Sequence, residues 1–288
     1  MSRVHLLIGP ESGKGRAAAA RETVMATISG EGHEPVDITG SSAAASRAAA
    51  AAAVADGASR LIVVGGDGMA QLAVSAVAGT DTVLGIVPIG TGNDFVRGLS
   101  TIPDDITAAA RLALGEGKPL DAIRTETGWV ASVATAGFSG DVNERANGMR
   151  FPRGSSRYTL ATLAELPTLR ARHLRLTIDG TTTELDSVLL AIANTGWFGG
   201  GMHIAPDAEP DDGLLDVTVV GAVGRLELLR FFRLVFSGRH TTHPAVQTLK
   251  GRRITIEADD LDLWGDGEAI GPAPATFEVV PGALHIAR

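Results

Sequence analysis

Short aliphatic runs alternate with segments of helical length over the first part of the chain. The runs are almost continuously apolar, as in RLIVV, which is typical of strands buried on both faces of a parallel sheet. The alternation therefore indicates βαβ units and an α/β layer domain. Strands are predicted over 4–9, 35–39, 60–64 and 82–90, and helices near 15–29, 43–56 and 69–78.

After about residue 120 the pattern changes to many strand-like runs separated by turn residues. In RLTIDGTTTEL, the pair Asp179-Gly180 suits a tight hairpin turn with positive φ. We expect an α/β domain over 1–120 and a β-rich, sandwich-like domain over 121–288, with a final strand over 283–288 that returns to the first domain. Further strands are predicted in SVLLAIAN, LLDVTVVG, RRITIEA and ATFEVV, and helices at about 156–170 and 224–238.

The predicted helix at 224–238, GRLELLRFFRLVFSG, is amphipathic. Glu227, Arg230 and Arg233 lie opposite an apolar face, which we expect to pack in the core. Contact with a lipid surface or with another subunit is the alternative. The apolar face comprises Leu228, Leu229, Phe231, Phe232, Val235 and Phe236.

Composition argues against several classes of protein. The net charge of −8 gives no basic footprint for nucleic acid, and the absence of cysteine excludes disulfides and thiolate metal sites. No apolar run reaches the ~18 residues of a membrane-spanning helix, and the start MSRVHLLIGP is typical of a strand rather than a secretory signal. We expect a cytoplasmic protein without a nucleic-acid partner; a homodimer stays open.

An aspartate stands among three glycines, Gly65-Gly66-Asp67-Gly68, after the third predicted strand. Open α/β sheets bind ligands at this end of a strand, where glycines let the backbone turn and approach a ligand. The N–H groups at the start of the next helix attract an anion such as phosphate. Because a carboxylate repels bare phosphate, Asp67 indicates bound Mg²⁺, a magnesium-bound water or a substrate hydroxyl. The alternative is an Asp67 that only caps the helix.

Two further polar loops follow neighbouring strands. PIGTGNDFVRGL, at 88–99, brings glycine, hydroxyl, amide and carboxylate groups to the same rim of the sheet. The first strand ends in GPESGKGR, which offers residues 12–14 to a phosphate. Lys14 precedes Gly15, so this is not a Walker A loop, and Gln71 stands where a GxGxxG fingerprint needs its third glycine. A P-loop NTPase is excluded and a dehydrogenase is disfavoured.

GGDG followed by PIGTGNDFVR resembles the diacylglycerol kinase catalytic family, which includes bacterial lipid kinases, sphingosine kinases and ceramide kinases. The resemblance covers nearly the whole chain, because GPESGKG, NTGWFGGGMHIAPDAEPDDGLLDV and WGDGEAI are similar to the family's opening, middle and late segments. NAD kinases and phosphofructokinases share GGDG alone, whereas the ordered set is specific. Gly9 replaces the family's opening Asn, and Met69 replaces the Thr that usually follows GGDG but still offers its backbone N–H.

The resemblance implies an ATP-dependent kinase that uses Mg²⁺ and phosphorylates a lipid alcohol, such as diacylglycerol, at a membrane surface. It implies a nucleotide-binding first domain like that of NAD kinase and phosphofructokinase, and a lipid-substrate second domain. The implied ATP contacts are Thr39, Gly65, Gly66, Asp67, Gly68, Met69, Ala70, Gln71 and Thr91.

The resemblance also implies a Mg²⁺ site in EPDDGL, formed by the Asp212 carboxylate and the main-chain carbonyls of Glu209 and Leu214. The alternative is a solvated Asp-Gly turn. The resemblance implies that Glu268 in GDGE is the general base, which closure of the cleft would bring over the nucleotide. The alternative is that GDGE is only a hairpin turn, which Asp-Gly also suits. Asp67 is the other candidate for the base.

Two other functions stay open. One is a soluble-substrate kinase of the NAD kinase type, which shares GGDG but whose sequence pattern lacks GTGNDF and DGE. The other, suggested by Met69, is a protein that binds a nucleotide or lipid without catalysis. No motif identifies the lipid. We expect the segment RFPRGSSRY, with Arg150, Arg153 and Arg157, to contact the membrane. The helix face that carries Arg225, Arg230 and Arg233 is the second candidate.

Overall fold

The computed structural model describes residues 2–9, 17–99, 103, 105–149 and 155–288. The chain forms two compact units, the first from Met1–Ala122 and Pro281–Arg288 and the second from Ile123–Val280. The sequence-based division lay between residues 120 and 121, and the assignment of ATP to one unit and lipid to the other stays a prediction.

The first unit is a parallel sheet whose strands alternate with helices. Its sheet has the order β2, β1, β3, β4, and all neighbouring pairs are parallel. The strands are β1 (Arg3–Ile8), β2 (Glu34–Asp37), β3 (Arg60–Gly65) and β4 (Val83–Pro88). The helices are α1 (Ala17–Gly30), α2 (Ala43–Ala55), α3 (Asp67–Val77), α4 (Asp94–Gly98) and α5 (Ile106–Leu112).

The core of this unit lies between α1 and the central strands. Leu6, Ile62 and Val87 are completely buried and pack with Val24 and Ile28 of α1. The near-continuous burial of β3 confirms the prediction of strands covered on both faces. The sequence did not predict α4 and α5.

The second unit consists mainly of antiparallel strands. Its sheet has the order β16, β15, β7, β9, β8, β14, β17, and β12 lies between β9 and β13. The strands are β5 (Gly117–Arg124, shared with the first unit), β6 (Trp129–Val130), β7 (Val133–Gly137), β8 (Arg172–Ile178), β9 (Thr181–Ala193), β10 (Trp197–Phe198), β11 (Met202–His203), β12 (Leu215–Gly221), β13 (Val246–Gly251), β14 (Arg253–Glu257), β15 (Asp262–Gly265), β16 (Glu268–Pro272) and β17 (Ala275–Ala287).

Three helices accompany this sheet: α6 (Phe138–Gly148), α7 (Ser155–Glu165) and α8 (Arg225–Val235). Short 3-10 turns occupy Leu166–Thr168 and Arg239–Thr242. The sequence predicted α7 and α8 but not α6. In the part of the chain that the structure describes, no helix has the length and hydropathy needed to cross a bilayer.

The last strand, β17, begins in the second unit and ends in the first. In the first unit, His285 lies opposite Val83 and Ile286 opposite Leu84, so the chain end adds a parallel strand beside β4. The N–H of Gly282, where φ is +64°, donates to the Asp121 carboxylate at 2.8 Å.

The hairpin between β8 and β9 turns at Asp179 and Gly180, whose φ angles of 47° and 86° confirm the predicted positive-φ turn. The predicted packing of the 224–238 helix is confirmed for Leu228, Phe231 and Val235, which are buried. It is wrong for Phe236, which is 44% exposed because it follows the end of α8 on the flank of the packed face.

Candidate functional site

The loops after β3 and β4 meet through glycine backbone. A Cβ built on Gly90 would lie 2.6 Å from the Gly66 Cα and 2.6 Å from the Asn93 Oδ1, and one built on Gly66 would lie 3.2 Å from the Gly90 Cα. The N–H of Ile89 also donates to the Gly65 carbonyl at 2.9 Å. The predicted meeting of the two polar loops is therefore present, and glycine is needed because the backbones are in contact.

Asp67 joins these loops. Its Oδ2 accepts the N–H of Asn93 at 2.8 Å and its Oδ1 accepts the N–H of Asp94 at 2.6 Å. Asn93 precedes α4 with φ of 53° and makes no side-chain cap of its own. Asp67 thus caps α4, 26 residues further along the chain. The capping alternative named the following helix, α3; the structure places the cap on a different helix.

The Asp67 carboxyl is largely buried, and burial raises its pKa above the usual value, although the N–H groups of Asp94, Asn93 and Phe95 act to lower it. Both oxygens are therefore engaged with backbone in the first unit. Roles for Asp67 in binding magnesium or a substrate hydroxyl stay predictions.

Helix α3 begins without a side-chain cap. Its N-cap is Gly66, and a Cβ placed on Gly68 would meet no atom within 4 Å. The N–H groups of Met69 and Ala70 both donate to the Gly66 carbonyl at 3.0 Å. In this structure the Met69 N–H closes the first turn of the helix, and its contact with ATP stays a prediction.

The other predicted ATP contacts are spread along the same edge of the sheet. Thr39 follows β2, and its Oγ1 accepts the N–H of Ile8 at 2.8 Å, which joins the ends of β2 and β1. Ala70 and Gln71 are buried, whereas Gly68 and Thr91 are exposed. An uncapped helix start, an open glycine at 68 and the exposed Thr91 fit the phosphate chain of ATP.

Beside Thr39, Asp37 pairs with Arg21, whose Nη2 lies 2.7 Å from its Oδ2. Burial acts to raise the pKa of Asp37, but the hydrogen bonds from Thr39 and the charge of Arg21 leave it lowered. Asp37 is therefore a charged anchor for the loop after β2, because its Oδ1 also accepts the Thr39 N–H at 2.9 Å.

In the second unit, Glu268 is the first residue of β16 and its side chain is exposed. The preceding Asp266-Gly267 forms the β15–β16 turn with φ of 50° and 86°, as the hairpin alternative predicted. The Asp266 carboxylate accepts the N–H groups of Ala131, Ser132 and Val133 at 2.7, 3.0 and 3.2 Å. We call this set of bonds the Asp266 clamp, and the sequence analysis did not predict it. The sequence showed only an Asp-Gly turn next to a candidate base.

An ammonium group from β13, that of Lys250, contacts the predicted magnesium loop. The Asp212 Oδ1 accepts the Leu214 N–H at 2.9 Å, and its Oδ2 lies 3.4 Å from the Lys250 Nζ. The same Nζ lies 3.2 Å from the Asp216 Oδ2 and 3.2 Å from the Asp207 carbonyl oxygen. Lys250 lies directly opposite Asp216 in the β12–β13 register, so the sheet fixes this pairing.

Burial raises the pKa of Asp216 to about 6, although Lys250 acts to lower it. Burial acts to lower the pKa of Lys250, but the neighbouring aspartates leave it raised. Lys250 already contacts the Asp212 carboxylate, which is the one side-chain ligand of the predicted set, so the loop as described fits Mg²⁺ poorly. In the described ranges, no group of three or more His, Asp or Glu side chains is placed to hold a metal ion. The assignment to Glu209, Asp212 and Leu214 stays a prediction, and no step is derived from it.

An apolar groove lies in the second unit, lined by α6, α7, α8, β9 and the β10–β11 hairpin. Its free volume is about 50 Å³, well below the ~300–1,000 Å³ of sites that enclose a whole small molecule. Ser139, Asn143 and Thr162 are the polar side chains along a largely hydrocarbon wall. The wall includes Phe138, Val142, Leu189, Phe198, Phe231 and Phe232.

Two expectations fall outside the described residues. One is the offer of Ser12, Gly13 and Lys14 to a phosphate. The other is membrane contact by RFPRGSSRY, because Arg150, Arg153 and the side chain of Arg157 are not described.

Comparison with known proteins places the whole chain in one family. Residues 3–125 match the Diacylglycerol kinase catalytic domain, and residues 132–288 match the YegS C-terminal NAD kinase beta sandwich-like domain. A curated Diacylglycerol kinase from Mycobacterium tuberculosis (strain CDC 1551 / Oshkosh) is 38% identical over 295 residues, which cover 100% of this chain and 96% of that protein. One from Staphylococcus aureus (strain bovine RF122 / ET3-1) is 28% identical over 96% of this chain and 89% of its own length.

The fold is also found in a crystal structure described as that of a diacylglycerol kinase from Bacillus anthracis str. Sterne. That protein is 21% identical, covers 99% of this chain and 96% of its own, and has a TM-score of 0.76. An α/β unit of parallel strands followed by a β-sandwich-like unit is thus the fold predicted from the sequence. The chain belongs to the diacylglycerol kinase family.

Proposed function

We propose that the protein is an ATP-dependent lipid kinase, which transfers the γ-phosphoryl group of ATP to the hydroxyl of a lipid alcohol such as diacylglycerol. The observation that carries the proposal is the clamp at Asp67, which holds two glycine-bearing loops together at the carboxyl ends of β3 and β4. In a member of this family, that arrangement supports a nucleotide site.

The ATP phosphates would lie against the start of α3 and the loop that contains Thr91. The uncapped helix start supplies a positive end of a helix dipole, and Gly66 and Gly68 let the phosphate chain approach the backbone. Mg²⁺ bound with ATP would neutralise charge on the β- and γ-phosphates. The protein's own contribution at this site would be to position the phosphates, through the loops after β3 and β4 that Asp67 holds together.

The lipid would place hydrocarbon in the apolar groove of the second unit. The groove is lined by phenylalanine and aliphatic side chains with three polar groups along it, as a lipid with a polar head requires. Nothing in its lining distinguishes diacylglycerol from other lipid alcohols. The substrate class, rather than one lipid, is therefore what the groove supports.

Glu268 is proposed as the general base that accepts the proton of the attacking hydroxyl. An exposed carboxylate at the tip of a hairpin is free to meet a substrate. Asp67 is the weaker candidate, because both of its oxygens accept backbone N–H groups. We also propose that the protein works in the cytoplasm and associates peripherally with a membrane while it acts.

The test is transfer from γ-labelled ATP, with Mg²⁺, to a panel of lipid alcohols in mixed micelles beside NAD. We expect label in the organic phase with at least one lipid and none in NAD. Transfer to NAD alone would show a soluble-substrate kinase, and no transfer with retained ATP binding would show a nucleotide-binding protein without catalysis. Either result refutes the proposal.

A further inference from the structure

We propose that a surface formed by α7 and α8, here called the helix rim, docks on a bilayer that contains anionic phospholipid. The helix rim comprises Leu160, Leu163, Leu226, Arg230, Arg233 and Phe236. The inference deepens the proposed function, on which it rests for its link to a lipid substrate. The contact itself is a property of the described residues of the second unit.

Large apolar side chains on the surface are concentrated at the helix rim. Among the described residues, Leu160, Leu163, Leu226 and Phe236 are 46%, 52%, 77% and 44% exposed, and only Leu249, at 40%, lies elsewhere. Clustered exposed hydrophobic residues mark interaction sites, whereas isolated ones do not. Four of these five side chains belong to α7 or α8 or directly follow α8, so the exposed hydrophobic side chains of the described residues are concentrated on these two helices.

The exposed side of α8 mixes apolar and basic side chains. Leu226, Arg230 and Arg233 follow one another at spacings of four and three, so they share a face, which lies opposite the buried Leu228 and Phe231. An apolar stripe with flanking arginines is typical of a helix that lies in a membrane interface, because arginine keeps its charge in water while its stem covers hydrocarbon.

The helix rim continues into the apolar groove. Phe236 packs edge to face on Phe232, with ring centroids 5.4 Å apart, and Phe232 lines the groove. Thr162 of α7 lines the same groove, and the Arg225 Nη2 donates to the Pro167 carbonyl at 2.5 Å, which ties α8 to the turn after α7. Phe236 therefore links the exposed end of α8 to the groove proposed for the lipid, which α7 and α8 both line.

The local charge favours an anionic surface, against the net charge of −8 of the whole chain. Helix α8 contains three arginines and one acid, Glu227, whose Oε1 lies 3.3 Å from the His243 Nε2. Neither Arg230 nor Arg233 forms an ion pair within the described residues, so both charges are available to phosphate head groups. A second copy is the poorer occupant, because a two-fold contact joins the same patch of both subunits, and a patch charged by Arg230 and Arg233 is not complementary to itself.

The experiment is sedimentation with vesicles of phosphatidylglycerol and phosphatidylcholine at low salt. The test variant is Arg230→Glu/Arg233→Glu, and the control, Arg47→Glu/Arg252→Glu, makes the same change in net charge at exposed positions of α2 and of the loop before β14. We expect binding to fall at least about tenfold in the test variant and to change little in the control. Equal binding of both variants, or no binding by the wild type, overturns the proposal.

Two further measurements separate the possible failures. Phosphorylation of a short-chain diacylglycerol dispersed in water is expected to survive in the test variant; if the wild type binds vesicles but phosphorylates no lipid, the proposed function fails and the docking surface stands. Sedimentation velocity without lipid is expected to show the same mass for wild type and variant. A wild-type dimer that the variant loses would show a second copy on the helix rim and overturn the proposal.

Discussion

Asp67 in the first unit and Asp266 in the second are both followed by glycine, and both carboxylates accept backbone N–H groups from a loop distant in sequence. Asp67 holds 93–94, and Asp266 holds 131–133. The two carboxylates have the same structural role. Each accepts hydrogen bonds from N–H groups of a loop that has no acceptor for them nearby in the sequence.

Their surroundings differ. Beside Asp67, Gly66 and Gly90 bring two backbones into contact, and α3 begins without a side-chain cap. Beside Asp266 there is a hairpin turn that presents Glu268 to solvent. An aspartate that accepts N–H groups is therefore not by itself a sign of a ligand site. The glycines and the helix start distinguish the proposed nucleotide site, whereas the hairpin presents a side chain.

The largest effects are expected when each clamp is removed. Asp67→Ala and Asp266→Ala should each lower the free energy of unfolding by about 2–4 kcal/mol, because buried N–H groups lose a charged acceptor. Only Asp67→Ala should also lose ATP binding by the folded protein, and with it transfer. Urea unfolding and calorimetric titration with ATP measure the two effects. Similar loss of ATP affinity in both variants would erase the distinction between the loops.

The next largest effect is expected on kcat, when Glu268 on the β15–β16 hairpin is replaced. Glu268→Gln should lower kcat by about 10²- to 10⁴-fold, because it removes a general base, and leave the KM for ATP and the melting temperature almost unchanged. Glu144→Gln, an exposed change on α6, is the control. Full activity in Glu268→Gln would return the role of base to Asp67.

Alanine substitutions at three glycines of the first unit should lower stability and ATP affinity by different amounts, according to how close each new Cβ lies to its neighbours. Gly90→Ala should destabilise by about 1–3 kcal/mol and weaken ATP binding, since its Cβ would meet backbone at 2.6 Å, and Gly66→Ala should do less, with its nearest contact at 3.2 Å. Gly68→Ala, which meets no atom within 4 Å, should fold normally. Thermal melts and ATP titrations rank the three. A Gly68→Ala protein less stable than Gly90→Ala would contradict the close approach of the loops.

The smallest effect concerns the ammonium group in the second unit. Lys250→Met should leave the oxygens of Asp207, Asp212 and Asp216 without a cation, so that Mg²⁺ raises the variant's melting temperature by about 2–4 °C. The wild type, free of nucleotide, should melt at the same temperature in Mg²⁺ and in EDTA. A wild type that loses stability in EDTA would show that magnesium binds despite Lys250.

Local patterns predicted much of this fold. The continuous apolar runs of β1, β3 and β4 identify buried parallel strands, and Asp179-Gly180 identifies its hairpin, because both signals lie within a few residues. Helix α6 was missed because FSGDVNERANG carries two glycines and few apolar residues. Helix α4 was missed because it spans only five residues and its cap comes from a distant loop.

The candidate site shows the same limit. The glycines and Asp67 were predictable as neighbours of a ligand, because strand ends of a parallel sheet share one edge. The bonds from Asp67 to 93–94 and from Lys250 to Asp216 were not, because they depend on loop conformation and on strand register. Sequence spacing fixes neither of these.

Backbone hydrogen exchange with and without a non-hydrolysable ATP analogue and Mg²⁺ tests most directly whether the Asp67 clamp is the nucleotide site. We predict slower exchange in 65–71 and 89–94 when the analogue is bound, with no change in 131–133 or 266–268. Protection confined to 131–133 and 266–268, or none in the first unit at a saturating concentration, would contradict it.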